Sequence, residues 1–163
     1  MVEAKDKTTG NMLLSYRFRL PGIVLTIAGL TLAIFYFAFD LRFRIPVFAL
    51  VSSFVKTKFF TGFTTNFADE LVILVLLTGL ILIAFSAERK EGAEYNGLRF
   101  KALKMSLLID SLILFASVLF IYGGGFIAIV ILNIFLPLAL YILLFRLYLQ
   151  RHKKRKVQVN PDI

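Results

Sequence analysis

Residues 111–145 read SLILFASVLFIYGGGFIAIVILNIFLPLALYILLF, thirty-five positions without a charged side chain. One straight helix of that length would reach roughly 50 Å at 1.5 Å per residue. The hydrocarbon core of a bilayer is only about 30 Å thick. The run is therefore expected to be two crossings, with Gly123-Gly124-Gly125 as the point where the chain turns back. Pro137 is expected to kink or loosen the second of them, because it lacks an N–H and its ring crowds the preceding turn.

Working outward, two more apolar runs appear. Ile23–Phe39 carries no charge and follows Pro21, a residue suited to a first helical turn. Its length, its aromatic end and the lack of a small-residue cleavage pattern argue for a span rather than a secretion signal. Leu71–Ala87 follows Asp69 and Glu70, acids that complement a helix N-terminus, with Asn66 as a candidate N-cap. The fold expected is an all-α membrane protein, one domain of four transmembrane helices in a bundle. The spans fall at about 22–39, 70–87, 106–122 and 126–146, between a polar N-terminus at 1–21 and a basic tail at 147–163. Between spans one and two, Val47, Leu50, Val51, Phe54 and Val55 fall at helical spacing with Ser52, Ser53 and Lys56 off that face. This pattern predicts a short interfacial helix, with an irregular or re-entrant loop as the alternatives.

Composition agrees. Hydrophobic residues make up 59% of 163 positions, with 18 Phe and no Trp, beyond what a soluble domain of this size usually carries. The net charge is +9. Of the nineteen Lys and Arg, fifteen lie in the N-terminus, the 88–105 connection and the tail, and four in the connection after the first span. By the positive-inside rule both termini are expected in the cytoplasm. With no Cys, the chain cannot make disulfides or thiolate metal sites. The sole His, His152, sits in the basic tail, so imidazole ligation of zinc or haem has no basis here. No cofactor is implied.

Asp110 is the one ionisable residue expected inside the membrane, one turn into the third span, where an acid is costly and often functional. Counting along an antiparallel hairpin predicts a bond to Tyr141, or a pair with Arg146 or Lys104. Asn133, Thr31, Thr78 and Ser117 are expected near the midplane, hydrogen-bonding across helices at about 0.6 kcal/mol each, or lining a narrow polar path. Gly29 and Ala33 form a small-xxx-small pair that favours close helix approach. In the tail, Arg151, Lys153, Lys154, Arg155 and Lys156 are expected to meet anionic lipid headgroups, at around 1 kcal/mol per residue near the surface. No aromatics interleave them for base stacking, which argues against nucleic acid.

Three short segments, Asn66-Phe67-Ala68-Asp69-Glu70, Ala84-Phe85-Ser86-Ala87-Glu88-Arg89-Lys90-Glu91 and Leu98-Arg99-Phe100, together with Tyr122-Gly123, Phe126 and Asn133, resemble a group of small four-span inner-membrane proteins of Bacteroidota. The resemblance covers roughly residues 66–150. Where that group tends to have an acidic triplet, this chain has Glu91-Gly92-Ala93-Glu94. The resemblance implies a fold and a location and carries no activity. No catalytic motif is present: Asp69 and Glu70 are adjacent, so on a helix they point about 100° apart, and the glycine triplet has no flanking base for phosphate. The expected role is a non-enzymatic accessory, scaffold or interaction subunit, with a protein partner or a second copy in the membrane. The alternative is a small transporter or channel.

Overall fold

The structure, a computed structural model, describes residues 13–39, 42–52, 58–89, 91–92 and 94–159. A 3-10 turn at Tyr16–Phe18 leads into α1, Arg19–Phe39; then follow β1, Arg44–Ser52, and β2, Lys58–Asn66. The rest is helical: α2, Ala68–Phe85; α3, Glu94–Phe120; α4, Gly124–Asn133; and α5, Leu136–Val159. Among the described residues, three helical segments are long and apolar enough to cross a membrane: Tyr16–Phe39, Ala68–Phe85 and Glu94–Phe120. The α4–α5 pair, bent by 48° at its break, makes a fourth if taken as one broken span. The chain divides into two compact units, Met1–Gly22 with Leu80–Ile163, and Ile23–Gly79.

In the first unit, α3 packs along α5. Tyr95 and Ala102 of α3 meet Phe145 and Leu149 of α5, with Leu98, Tyr141, Leu144 and Tyr148 packed around them. Tyr95, Leu98 and Ala102 recur at three- and four-residue steps, so they share one helix face. This face carries α3 back to Glu94, well before the third span expected from 106. Helix continuity follows from backbone hydrogen bonding and packing; Glu94, Lys101 and Lys104 are exposed on that helix, whereas Arg99 is buried. The turn after α3 is Ile121–Gly123. Gly123 has φ +68°, a left-handed conformation that glycine adopts at no steric cost, and nothing lies within 4 Å of where its Cβ would stand. The break between α4 and α5 is a tightened turn. The Ile134 N–H donates to Ile131 O and the Phe135 N–H to Leu132 O, just before Pro137. The kink expected at Pro137 is thus present, two to three residues upstream of the ring, where Pro137 has no N–H to give the Asn133 carbonyl four residues earlier and its ring crowds that carbonyl. Where α1 begins, Gly22 lies against Leu82 and Ile83 of α2: an added Cβ would stand 2.9 Å from the Leu82 Cβ and 3.0 Å from the Ile83 backbone nitrogen.

In the second unit, Gly29 of α1 packs on α2. Its Cβ would stand 3.0 Å from both Cα and N of Leu76. The small residue expected to allow close approach does so against another helix of the same chain.

The interfacial helix expected between the first two spans is not formed. Residues 44–52 and 58–66 pair as an antiparallel hairpin, Arg44 opposite Asn66, Phe48 opposite Gly62 and Val51 opposite Phe59. The physical reason lies in β2. Phe59, Phe60, Thr61, Phe63, Thr64 and Thr65 are aromatic or β-branched types that fit a pleated surface. In β1, periods of 3.6 and 2 cannot be told apart over so short an apolar run. Pro46 is tolerated because both strands of a two-stranded sheet are edges. Phe54 and Val55, which the helical reading used, lie outside the described residues. Asn66 closes the hairpin and opens α2 together: its Oδ1 accepts from the Phe43 N–H at 2.9 Å and the Ala68 N–H at 3.3 Å.

Candidate functional site

Two polar centres stand within the first unit. The upper one gathers where α2 ends and α3 begins. Before α1, Leu14 pairs with the chain after α2: its N–H donates to Phe85 O at 2.9 Å and its O accepts from the Ala87 N–H at 2.8 Å. This brings Arg19 beside Glu88. Arg19 Nη1 lies 2.8 Å from both carboxylate oxygens of Glu88, and Arg146 of α5 approaches the same carboxylate at 3.6 Å. Next to them, Arg99 is only 9% exposed. Its Nε donates to Glu91 Oε1 and its Nη2 to Glu91 Oε2, both at 3.2 Å. Its Nη2 also donates to Ser86 O at 3.2 Å, and its Nη1 to the Tyr141 hydroxyl at 3.3 Å. The guanidinium carbon sits 4.4 Å from the centroid of the Phe145 ring, and that ring stacks on Tyr141 at 6.1 Å.

The lower centre is Asp110. It is 9% exposed on an otherwise apolar stretch of α3, and its Oδ1 accepts from Asn133 Nδ2 at 2.8 Å. The partners expected for Asp110 are otherwise engaged: Tyr141 accepts from Arg99, Arg146 pairs with Glu88, and Lys104 is exposed. The reason is the true position of the turn. Asp110 stands ten residues before the end of α3, and Asn133 nine residues after the start of α4, so the hairpin sets them at one level.

Two of the polar groups expected to bond across helices near the midplane bond their own helices. Thr31 Oγ1 donates to Ile27 O of its own helix at 2.9 Å, and Ser117 Oγ to Ile113 O at 2.7 Å. Thr31 and Thr78 are exposed. Ser, Thr and their own i−4 carbonyl form a local bond that needs no neighbouring helix, whereas Asn133 reaches across to Asp110 of α3. In the tail, Arg151, Lys153, Lys154 and Arg155 are exposed on α5, while the Lys156 side chain lies outside the described residues. His152 turns inward, edge-on to Tyr95 at 6.4 Å, with Nε2 3.4 Å from a Glu94 carboxylate oxygen.

Sequence reasoning named Ser86, Glu91 and Arg99 only within the segments that carry the resemblance and Tyr141 only as a partner for Asp110, and it did not bring the four together. The available signal was the place of Arg99 on the Tyr95–Leu98–Ala102 face. A cation on an apolar helix stripe requires an acid and an acceptor nearby.

The second unit presents the hairpin. One face carries Phe48 (68% exposed), Leu50 (64%) and Phe60 (71%); on the other, Val47, Ala49, Thr61 and Phe63 are half-buried and Val51 and Phe59 are exposed. The Phe48 and Phe60 rings lie 6.5 Å apart, on either side of Gly62. At the hairpin base a cleft of about 430 Å³ is lined by Tyr36, Arg42, Arg44, Thr64, Thr65 and Asn66.

Chemically, the upper centre is a clasp. Four of the five guanidinium N–H groups of Arg99 are engaged, and Glu88 and Glu91 are both matched by cations. Among the described residues no three His, Cys, Asp or Glu side chains are grouped to hold a metal ion. Compared with protein-family models, with curated proteins and with solved structures, the chain matches none.

Proposed function

We propose that this chain is an integral protein of a bacterial inner membrane, with both termini cytoplasmic, acting as a non-enzymatic accessory or scaffold subunit. In this reading the β1–β2 hairpin is the surface that meets the partner. One observation carries it: the exposed face of Phe48, Leu50 and Phe60 on a sheet of two strands. An isolated two-stranded hairpin is marginal on its own, and both of its edges offer backbone groups for a further strand. The charged clasp, by contrast, is matched within the chain and reads as architecture. The bias of fifteen cationic residues against four supports the orientation.

The test is a photo-crosslinking amino acid at Phe60, illuminated in intact membranes. A discrete adduct larger than the 18.5 kDa chain supports an interaction surface, and an adduct at twice that mass identifies a second copy. Recovery of the uncrosslinked chain alone refutes the reading. An alkaline phosphatase fusion at the C-terminus that proves active would reverse the orientation.

The small transporter remains a second reading, favoured by the Asp110–Asn133 pair, an acid and an amide on facing apolar helices. In that case Asp110→Asn abolishes solute-linked proton movement in proteoliposomes, while the protein stays folded.

A further inference from the structure

The basic residues at the end of α5 do not form one uniform patch. Arg151 and Arg155 are four residues apart and Tyr148 precedes Arg151 by three, so all three lie on one helix face. This face meets α3, where Leu98 and Lys101 share a stripe at the same spacing. Together Leu98, Lys101, Tyr148, Arg151, His152 and Arg155 line a cleft of about 200 Å³. Lys153 and Lys154 are on other faces of α5 and do not line it.

Three cations from two helices thus border one small cleft, and the acid beside it, Glu94, approaches His152 at 3.4 Å without lining the cleft. The Lys101 ammonium is held over the Tyr148 ring, 5.2 Å from its centroid. Orientation in a membrane requires basic residues on one side but not their convergence. Like charges gathered at a cleft repel one another, and an anion placed between them relieves that repulsion. Guanidinium forks suit the bidentate geometry of phosphate, and an ammonium adds a point charge. The two apolar walls, Leu98 and the Tyr148 ring, suit the carbon next to a phosphate ester.

We propose that this cleft is a phosphate-binding site, formed by Lys101, Arg151 and Arg155. Its ligand is a phosphate ester, supplied either by a lipid headgroup or by a soluble organophosphate. The inference sharpens the membrane reading above by separating α5 cations that bind from those that only anchor. The lipid source rests on that reading; the site itself does not.

The test uses the full chain in a non-ionic maltoside detergent and isothermal titration calorimetry with two probes, dihexanoyl phosphatidylglycerol and glycerol 1-phosphate. Two variants remove equal charge from the same helix: Arg151→Gln/Arg155→Gln and Lys153→Gln/Lys154→Gln. The first is expected to weaken binding tenfold or more, and the second less than twofold. Lys101→Gln, on the other helix, should weaken binding like the first. Arg151→Lys/Arg155→Lys keeps the charge and the fold but removes the forks, and should still lose several-fold. Binding of the lipid alone assigns a headgroup; binding of both probes, or of glycerol 1-phosphate alone, assigns the phosphate ester irrespective of acyl chains. Equal losses in the two charge-matched doubles, full retention in the Lys-for-Arg double, or no binding of either probe overturns the proposal. The alkaline phosphatase fusion reads membrane orientation independently, so failure of one is not failure of the other.

Discussion

Replacing Arg99 with Met is the perturbation that most directly tests the clasp. The side chain of Arg99 is 10% exposed and that of Glu91 18%, so solvent does little to screen the pair. Removing one partner of a buried ion pair costs about 3–5 kcal/mol, because the other charge is left without compensation. The lost stacking over Phe145 contributes about a further 0.5–2 kcal/mol, which Met's own contact with the ring partly offsets. Arg99→Met is therefore expected to destabilise by about 3–5 kcal/mol. Glu91→Gln should cost less, since an amide oxygen still accepts from the guanidinium. Because the two residues share bonds, their effects should not add, and the double variant should show a coupling of about 1–3 kcal/mol. The assay is unfolding in mixed maltoside and dodecyl sulfate micelles, followed by helical circular dichroism. Amide hydrogen exchange over 86–99 adds a local readout: Arg99 ties Ser86 O, Glu91 and Tyr141 together, so this stretch should exchange faster in the variant than the body of α3. A loss below about 1 kcal/mol, or additive single variants, would refute the clasp as a structural element and recast the pair as surface electrostatics.

Other expectations follow from single contacts and use the same unfolding assay. Asn133→Leu leaves the Asp110 carboxylate without its donor and should cost about 1–3 kcal/mol, whereas Asp110→Leu/Asn133→Leu should recover part of that loss; no recovery would argue against the pair. Gly29→Ala places a Cβ 3.0 Å from the Leu76 backbone, and should cost about 1–3 kcal/mol of overpacking; an unchanged midpoint would mean the helices separate freely there. Ala102 is fully buried between α3 and α5, so Ala102→Leu is expected to cost a similar amount by the same mechanism. Thr31→Val should lie within about 0.5 kcal/mol of the parent, since Thr31 bonds only its own helix; a larger loss would restore a cross-helix role.

How far the sequence was legible depended on which signal each element used. The apolar helices were readable because membrane thickness fixes their length, and the Gly123 turn because thirty-five apolar residues cannot be one span. The start of α3 was hidden by charge. Glu94, Arg99, Lys101 and Lys104 look like a connecting loop until Tyr95, Leu98 and Ala102 are read as a face. The hairpin was hidden because Val47, Leu50 and Val51 fall at helical spacing, whereas in the strand Leu50 faces away from Val47 and Val51, and the deciding partner strand lies at 58–66. Arg44 opposite Asn66 is a pairing between distant residues, and no local pattern encodes it. The partner of Asp110 was missed through register. Placing the turn two residues too late moves the level facing Asp110 about four residues along the returning chain, away from Asn133 and toward Tyr141.

That register error points to what the polar residues do. The buried face of α3 carries Tyr95, Ala102, Ser106 and Ser117 beside Arg99 and Asp110, and in lipid there is no hydrophobic drive to choose one alignment of packed helices over another. Two polar rungs choose it: Asp110 with Asn133 near the turn, and Arg99 with Tyr141 farther from it. A mismatch at either would strand a polar group in an apolar setting, which is how a single buried polar contact can fix register elsewhere. The bend at Ile134–Phe135 falls between Asn133 and Tyr141, the two partners on the returning strand of the hairpin. It therefore sets the rotation of α5 relative to α4, and with it whether both rungs can be satisfied together. One residue inserted after Phe135 would turn Tyr141 by about 100°, away from Arg99, while leaving the Asp110–Asn133 rung in place. Helix content should then persist and the clasp alone should be lost.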